Sequence, residues 1–128
     1  MFEISVQTEF AAAHAIVING EREPLHGHNW HVTVTLGGPR LDAEGLLCDF
    51  HQVESRLAGL VALYHNRNLN EIAPFNGALN PSAENVALHI AEELTRSLQG
   101  RLPAGVKLTS VRITEAPGCA ATYRPERP

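Results

Sequence analysis

The chain has 128 residues, 44% of them apolar and 19% charged, with a net charge of −4, which suits a single domain with one hydrophobic core. Its permanent cations are nine arginines and Lys107, so it lacks the basic field that general nucleic-acid or membrane-surface binding needs. No run approaches the ~18 apolar residues of a membrane span and no signal-peptide pattern opens the chain, so a cytoplasmic protein is expected, with Cys48 and Cys119 reduced, buried and inert.

Residues 2–14 alternate, with Phe2, Ile4, Val6, Phe10, Ala12 and His14 on one parity and Glu3, Ser5, Gln7 and Glu9 on the other. Period two predicts a half-buried strand. Asn19-Gly20 and Pro24 mark residues 19–25 as a turn or short loop. Alternation resumes at His26, with His28, Trp30, Val32, Val34 and Leu36 on its parity, and "GGPR" at 37–40 stops it. Two such runs joined by a loop suggest an antiparallel pair. Asp49 with Gln52 three positions on resembles a capping box, and Phe50, Val53, Leu57, Leu60, Val61 and Tyr64 predict an amphipathic helix over 50–65. "NPSAEN" (80–85) starts a second helix with Pro81 just inside, Val86, Ile90, Leu94 and Leu98 form its stripe, and Gly100 ends it. Residues 106–115 read as a strand with one parity switch that suggests a bulge, and residues 119–124 as a last strand. Only the final "RPERP" looks like a loose tail. The order β-β-α-α-β-β predicts a single α+β domain over 1–128, a four-stranded antiparallel sheet carrying two helices on one face.

Three of the seven histidines fall within "EPLHGHNWH" (23–31). His26 and His28 are two apart on a predicted strand and so share a face, roughly 6.6 Å apart. His14 ends the preceding strand on its apolar parity, so pairing of the two strands would bring it opposite them. Any one of these could simply be a polar residue at a strand end. Three on one face point instead to a zinc site with an open fourth position. His31 has the opposite parity, and His51 and His89 lie on predicted helices; all three read as hydrogen-bonded or solvated. His65, at the end of the first helix, fits either role.

The ordered set "FAAAHAI" (10–16), "HGHNWHVTVTL" (26–36), "GLLCDFHQVE" (45–54), "NLNEI" (68–72), "NPSAEN" (80–85) and "TEAPGCAATYR" (114–124) resembles the 6-pyruvoyltetrahydropterin synthase / 6-carboxytetrahydropterin synthase family, the pterin branch of the tunnelling fold. The resemblance spans nearly the whole chain. It implies that His14, His26 and His28 hold a catalytic zinc and that Glu115 anchors the pterin ring. The latter suits a carboxylate, which accepts two parallel N–H bonds. It also implies a homo-oligomer, trimers whose sheets join into a barrel and stack as hexamers. An open four-stranded sheet would gain from such closure.

The sequence departs from the family in two places. The best-known members carry a catalytic cysteine shortly before H-G-H, where this chain has Arg22 and Glu23. They also carry an Asp-His pair before Leu-Asn, where this chain has Tyr64, His65 and Asn66. Glu23 resembles a sub-branch in which glutamate replaces the thiol and the side chain of 7,8-dihydroneopterin triphosphate is cleaved to 6-hydroxymethyl-7,8-dihydropterin. In that reading Glu23 is the base and His65 a candidate proton donor; otherwise Glu23 is a solvated loop residue. A 6-pyruvoyl- or 6-carboxytetrahydropterin synthase with other proton-transfer groups is the alternative, and a non-catalytic zinc- or pterin-binding protein a third. For the triphosphate, Arg22 and Arg67 lie nearest the motifs.

Overall fold

The computed structural model describes residues 1–126; the last two residues of the expected tail, 127–128, lie outside the described residues. Strand β1 (Phe2–His14) pairs antiparallel with β4 (His26–Gly38) along its whole length, from Phe2 opposite Gly38 to His14 opposite His26. Between them the expected turn is a small hairpin of β2 (Val17–Ile18) and β3 (Glu21–Arg22). Its tip is Asn19-Gly20, with φ of 53° and 80°, the positive pair that a tight two-residue turn requires.

Strand β6 (Lys107–Ala116) joins the far side of β4, and β7 (Cys119–Tyr123) joins β6. Thr35 pairs with Ser110 but Leu36 pairs with Leu108, so Thr109 is an extra residue. This is the bulge that the parity switch predicts, and the Thr109 hydroxyl donates to Thr35 O at 3.1 Å.

The sheet has five strands where four were expected. The fifth, β5 (Arg67–Asn68), pairs parallel with Ala12 and Ala13 at the outer edge of β1. Two residues are too short to leave a periodic signal, and what makes them a strand is the turn that delivers them. Helix α1 (Phe50–Val61), capped by the Asp49 carboxylate on His51 N–H, ends four residues before the expected position. Tyr64 turns inward against the Phe10 ring, centroids 5.6 Å apart, and Asn66, at φ 59°, donates its amide to Ala11 O at 2.6 Å. Packing of one aromatic ring thus overrides the helical period.

Helix α2 (Ala83–Leu98) begins at Ser82, whose hydroxyl accepts Asn85 N–H. Pro81 therefore lies just outside the helix, not just inside. Val53, Leu57 and Val61 of α1 and Val86, Ile90, Leu94 and Leu98 of α2 are buried together with Phe10, Trp30, Val32, Val34, Leu36, Val111 and Ile113 of the sheet. The opposite sheet face is polar, with Glu9 paired to His31 at 3.2 Å and Ser5 bonded to Thr35.

Cys48 is buried as expected, and burial, with Asp49 alongside, pushes its thiol up. Cys119 is not buried. It opens β7 at the sheet edge, opposite Ala116 where the β6–β7 register slips, and is exposed. No helix among the described residues is long and apolar enough to cross a membrane.

Leu57 has no exposed surface, so Leu57→Ala should cost about 2–5 kcal/mol, read as a lower urea midpoint with an unchanged slope.

Candidate metal centre

The β1–β4 register sets His14 opposite His26, and Ala12 opposite His28. All three imidazoles therefore leave the same side of the sheet, as the shared parity predicts. Their ring centroids lie 4.7, 4.8 and 5.1 Å apart, edge to face. One ligand atom from each comes within 4.8 Å of the other two.

Backbone carbonyls fix which nitrogen faces inward. His14 Nδ1 donates to Pro81 O at 2.8 Å, and His26 Nδ1 donates to Pro24 O at 2.9 Å. A carbonyl only accepts, so each Nδ1 keeps its hydrogen and each Nε2 offers a lone pair. Burial holds the His28 imidazole below its ordinary value against the pull of the Glu115 carboxylate, and its neighbours His14 and His26 push it the same way as burial does. Neutral rings with inward lone pairs are what a cation needs.

Four buried side-chain polar atoms lack a hydrogen-bond partner among the described residues, and three converge here: His14 Nε2, His28 Nε2 and Glu115 Oε2. Orphaned buried groups cost about 1–3 kcal/mol each. Clustered, they mark a place built for a guest, and the donor set fits a divalent transition metal.

Trp30 forms the floor. Its ring lies 4.9 Å from His14 and 5.8 Å from His28, and its indole N–H donates to Ala12 O at 3.0 Å. Beyond His14, two carboxamides hold the chain at Ala15 and Val17. Asn70 accepts Ala15 N–H and donates to Ala15 O, and Asn80 does the same for Val17. Asn85 in turn donates to Asn80 O at 2.8 Å. These clamps, and the Pro24 and Pro81 carbonyls, are invisible to reasoning from residue types alone; the asparagines inside "NLNEI" and "NPSAEN" were their only trace.

Glu23 and Glu115 flank the cluster. Glu23 Oε1 lies 3.6 Å from His26 Nε2 and accepts Ile16 N–H at 3.2 Å. Glu115 Oε2 lies 3.5 Å from His14 Nε2, too long for a hydrogen bond. Glu115 is the residue skipped where β6 slips against β7, between Thr114 and Ala116; such irregularities re-aim side chains.

His65 stands apart. Its Nδ1 accepts Ala11 N–H at 3.1 Å, three residues and about 10 Å along β1 from His14. His31 pairs with Glu9 and His51 with Asp49, in keeping with the polar surroundings expected of them, whereas His89 packs between the rings of Tyr64 and Phe75 instead. Beside His28 opens a cleft of about 580 Å³ lined by Ala11, Ala13, Asn29, Asn66, Arg67 and Asn68, among others.

A family model described as 6-pyruvoyl tetrahydropterin synthase matches residues 3–126. A dihydroneopterin monophosphate aldolase of Pyrococcus furiosus is 35% identical over 112 residues, 88% of each chain. A 6-carboxy-5,6,7,8-tetrahydropterin synthase of Rickettsia bellii is 26% identical, covering 93% of this chain and 97% of its own. Among solved structures, the 6-pyruvoyl tetrahydropterin synthase of Caenorhabditis elegans superposes with a TM-score of 0.83 at 22% identity, covering 98% of this chain and 96% of that one. The expected tunnelling fold is therefore the observed one.

Trp30 is the only tryptophan. Titrating metal-free protein with Zn²⁺ should change its emission and saturate at about one ion per chain, with elemental analysis after dialysis agreeing. His28→Ala should abolish both responses.

Proposed function

The chain belongs to the 6-pyruvoyl tetrahydropterin synthase family, and from that premise we propose that it is a zinc-dependent aldolase. Its substrate would be a phosphorylated 7,8-dihydroneopterin and its product 6-hydroxymethyl-7,8-dihydropterin. The observation that carries this reading is Glu23, whose carboxylate stands 3.6 Å from a ligand nitrogen, at the place where the best-known relatives put a thiol. The Pyrococcus furiosus relative, a dihydroneopterin monophosphate aldolase, supports it.

His14, His26 and His28 would hold the zinc, leaving one position for the substrate. A bound zinc supplies the Lewis acidity that lets an alcohol lose its proton near neutral pH. Glu23 then acts as general base on the C2′ hydroxyl. Its Oε1 is tied to Ile16 N–H, which fixes its aim and leaves Oε2 for the proton. As the C1′–C2′ bond breaks, C2′ leaves as an aldehyde and the electron pair passes through C1′ into the ring imine. A proton then returns to C1′ to give the hydroxymethyl group. Glu115, with a buried oxygen that no described residue satisfies, accepts the paired N–H groups of the pterin edge. His65 is the candidate proton donor: Ala11 N–H occupies Nδ1, so the neutral ring carries its hydrogen on Nε2.

Assembly into a trimer or hexamer belongs to the same proposal. β5 covers only Ala12 and Ala13 of the outer edge of β1, and β7 ends the sheet on the other side. Both edges offer backbone groups to further strands.

Zinc-loaded protein incubated with dihydroneopterin monophosphate and triphosphate should release 6-hydroxymethyl-7,8-dihydropterin and a phosphorylated two-carbon aldehyde, identified by mass. A pyruvoyl or carboxy product would instead assign synthase chemistry, the activity named for the Rickettsia bellii relative. Pterin binding without turnover would overturn the enzymatic reading. Glu23→Gln should lower kcat by about 10²–10⁴-fold with zinc content unchanged.

A further inference from the structure

Hydrogen bonds, more than packing, hold the segment that aims Glu23. Every residue of the β2–β3 hairpin from Val17 to Arg22 is exposed, and a two-stranded hairpin alone is only marginally stable in water. Its angle to the sheet is therefore set where it leaves β1, at Ala15, Ile16 and Val17. Along an extended chain, successive residues turn their N–H and C=O groups to opposite edges. These three follow that alternation. Ala15 bonds through both groups to the carboxamide of Asn70, at 2.8 and 2.9 Å. Val17 does the same with Asn80, at 2.9 and 3.1 Å. Ile16, between them, turns both groups to Glu23. Its N–H donates to the carboxylate Oε1 at 3.2 Å, and its carbonyl accepts the Glu23 N–H at 3.0 Å.

A peptide group is planar, so the carbonyl of one residue and the N–H of the next turn together. The plane between Ala15 and Ile16 has Asn70 Nδ2 on its carbonyl and the Glu23 carboxylate on its N–H. The preceding plane, between His14 and Ala15, is held at its N–H by Oδ1 of the same carboxamide. One side chain thus fixes two consecutive planes, the first leading from His14 and the second presenting the N–H on which Glu23 rests. Asn70 is braced in turn. It stands in a single 3₁₀ turn, Leu69–Glu71, where its N–H donates to Asn68 Oδ1 at 3.0 Å and Leu69 has no exposed surface. Asn80 holds the third plane, whose carbonyl takes the Glu23 backbone N–H.

We propose that Asn70 is a positioning residue for Glu23, aiming its carboxylate through the Ala15–Ile16 peptide plane. Its importance for turnover rests on the aldolase reading, in which Glu23 is the base. The His14 ring has its own anchor at the Pro81 carbonyl, so loss of the carboxamide disturbs the base and spares the histidine cluster.

Amide hydrogen exchange of zinc-loaded protein, read by NMR, tests the aim without any reaction. Asn70→Ala should quicken exchange of the Ile16 amide, whose partner is Glu23 and not Asn70, by about five- to tenfold. In a Glu23→Ala background the same substitution should add less than about twofold, since the bond it acts through is already gone. An unchanged Ile16 amide, or equal quickening in both backgrounds, overturns the proposal. Asn80→Ala, which loosens the neighbouring plane, should reproduce the pattern and serves if Asn70→Ala does not fold.

Kinetics then connect the aim to the chemistry. Asn70→Ala should lower kcat on phosphorylated dihydroneopterin by about 10–100-fold, the scale of a small misplacement of a reacting group. KM should stay within about twofold and zinc content should be unchanged. In a Glu23→Gln background it should cost less than about twofold more. Loss of zinc, or the same loss of kcat in both backgrounds, overturns the proposal. If Glu23→Gln itself leaves kcat intact, the aldolase reading of Glu23 fails, and the exchange result still decides whether Asn70 positions it.

Discussion

The site depends on one constraint, the antiparallel register of β1 against β4. Side chains alternate along a strand, so a slip of one residue would send His26 and His28 to the opposite face from His14. Thirteen consecutive pairs, from Phe2–Gly38 to His14–His26, hold that register. The apolar residues on the same parity hold it as well, because Phe10, Trp30, Val32, Val34 and Leu36 can be buried under the helices only in this alignment. The energy that builds the core therefore also aligns the three imidazoles. Phe10 stacks on Trp30 with ring centroids 5.7 Å apart, and Trp30 supports His14 and His28 from below.

Register alone leaves each imidazole free to turn about its side-chain bonds. Two carbonyls remove that freedom for His14 and His26, and each belongs to a proline, Pro81 and Pro24. Pro81 sits immediately before the Ser82 cap of α2, so the helix start and the ring orientation are set together. The Asn70, Asn80 and Asn85 chain then ties the segment after His14 to the approach to α2. Strand, hairpin and helix thus meet around a single buried side chain, His14, which has no exposed surface.

What could be read from the sequence follows the same division. Long periodic runs report themselves, so β1, β4, both helices, the β6 bulge and the shared face of His14, His26 and His28 were all legible. Features made by single contacts were not. β5 is two residues long and exists because Tyr64 folds inward and Asn66 adopts a left-handed turn; that same turn ended α1 early. Cys119 was expected inside because cysteine is a small apolar residue, but its place at the edge of the sheet decides its exposure. The tautomers of His14 and His26 depend on main-chain oxygens, which every residue has and which no residue type announces.

The electrostatics of the centre follow from the same register. Glu115 and Glu23 stand beside it, with carboxylate oxygens 3.5 Å from His14 Nε2 and 3.6 Å from His26 Nε2. The carbonyls of Pro81 and Pro24 take the Nδ1 hydrogens of those two rings, so the nitrogens that meet the carboxylates are acceptors. Acceptor facing acceptor is repulsive, and the cost of holding such groups together is offset when a cation lies between them. The alignment that buries the core therefore also gathers a set of electron-pair donors for which the folded chain alone supplies no partner among its described residues.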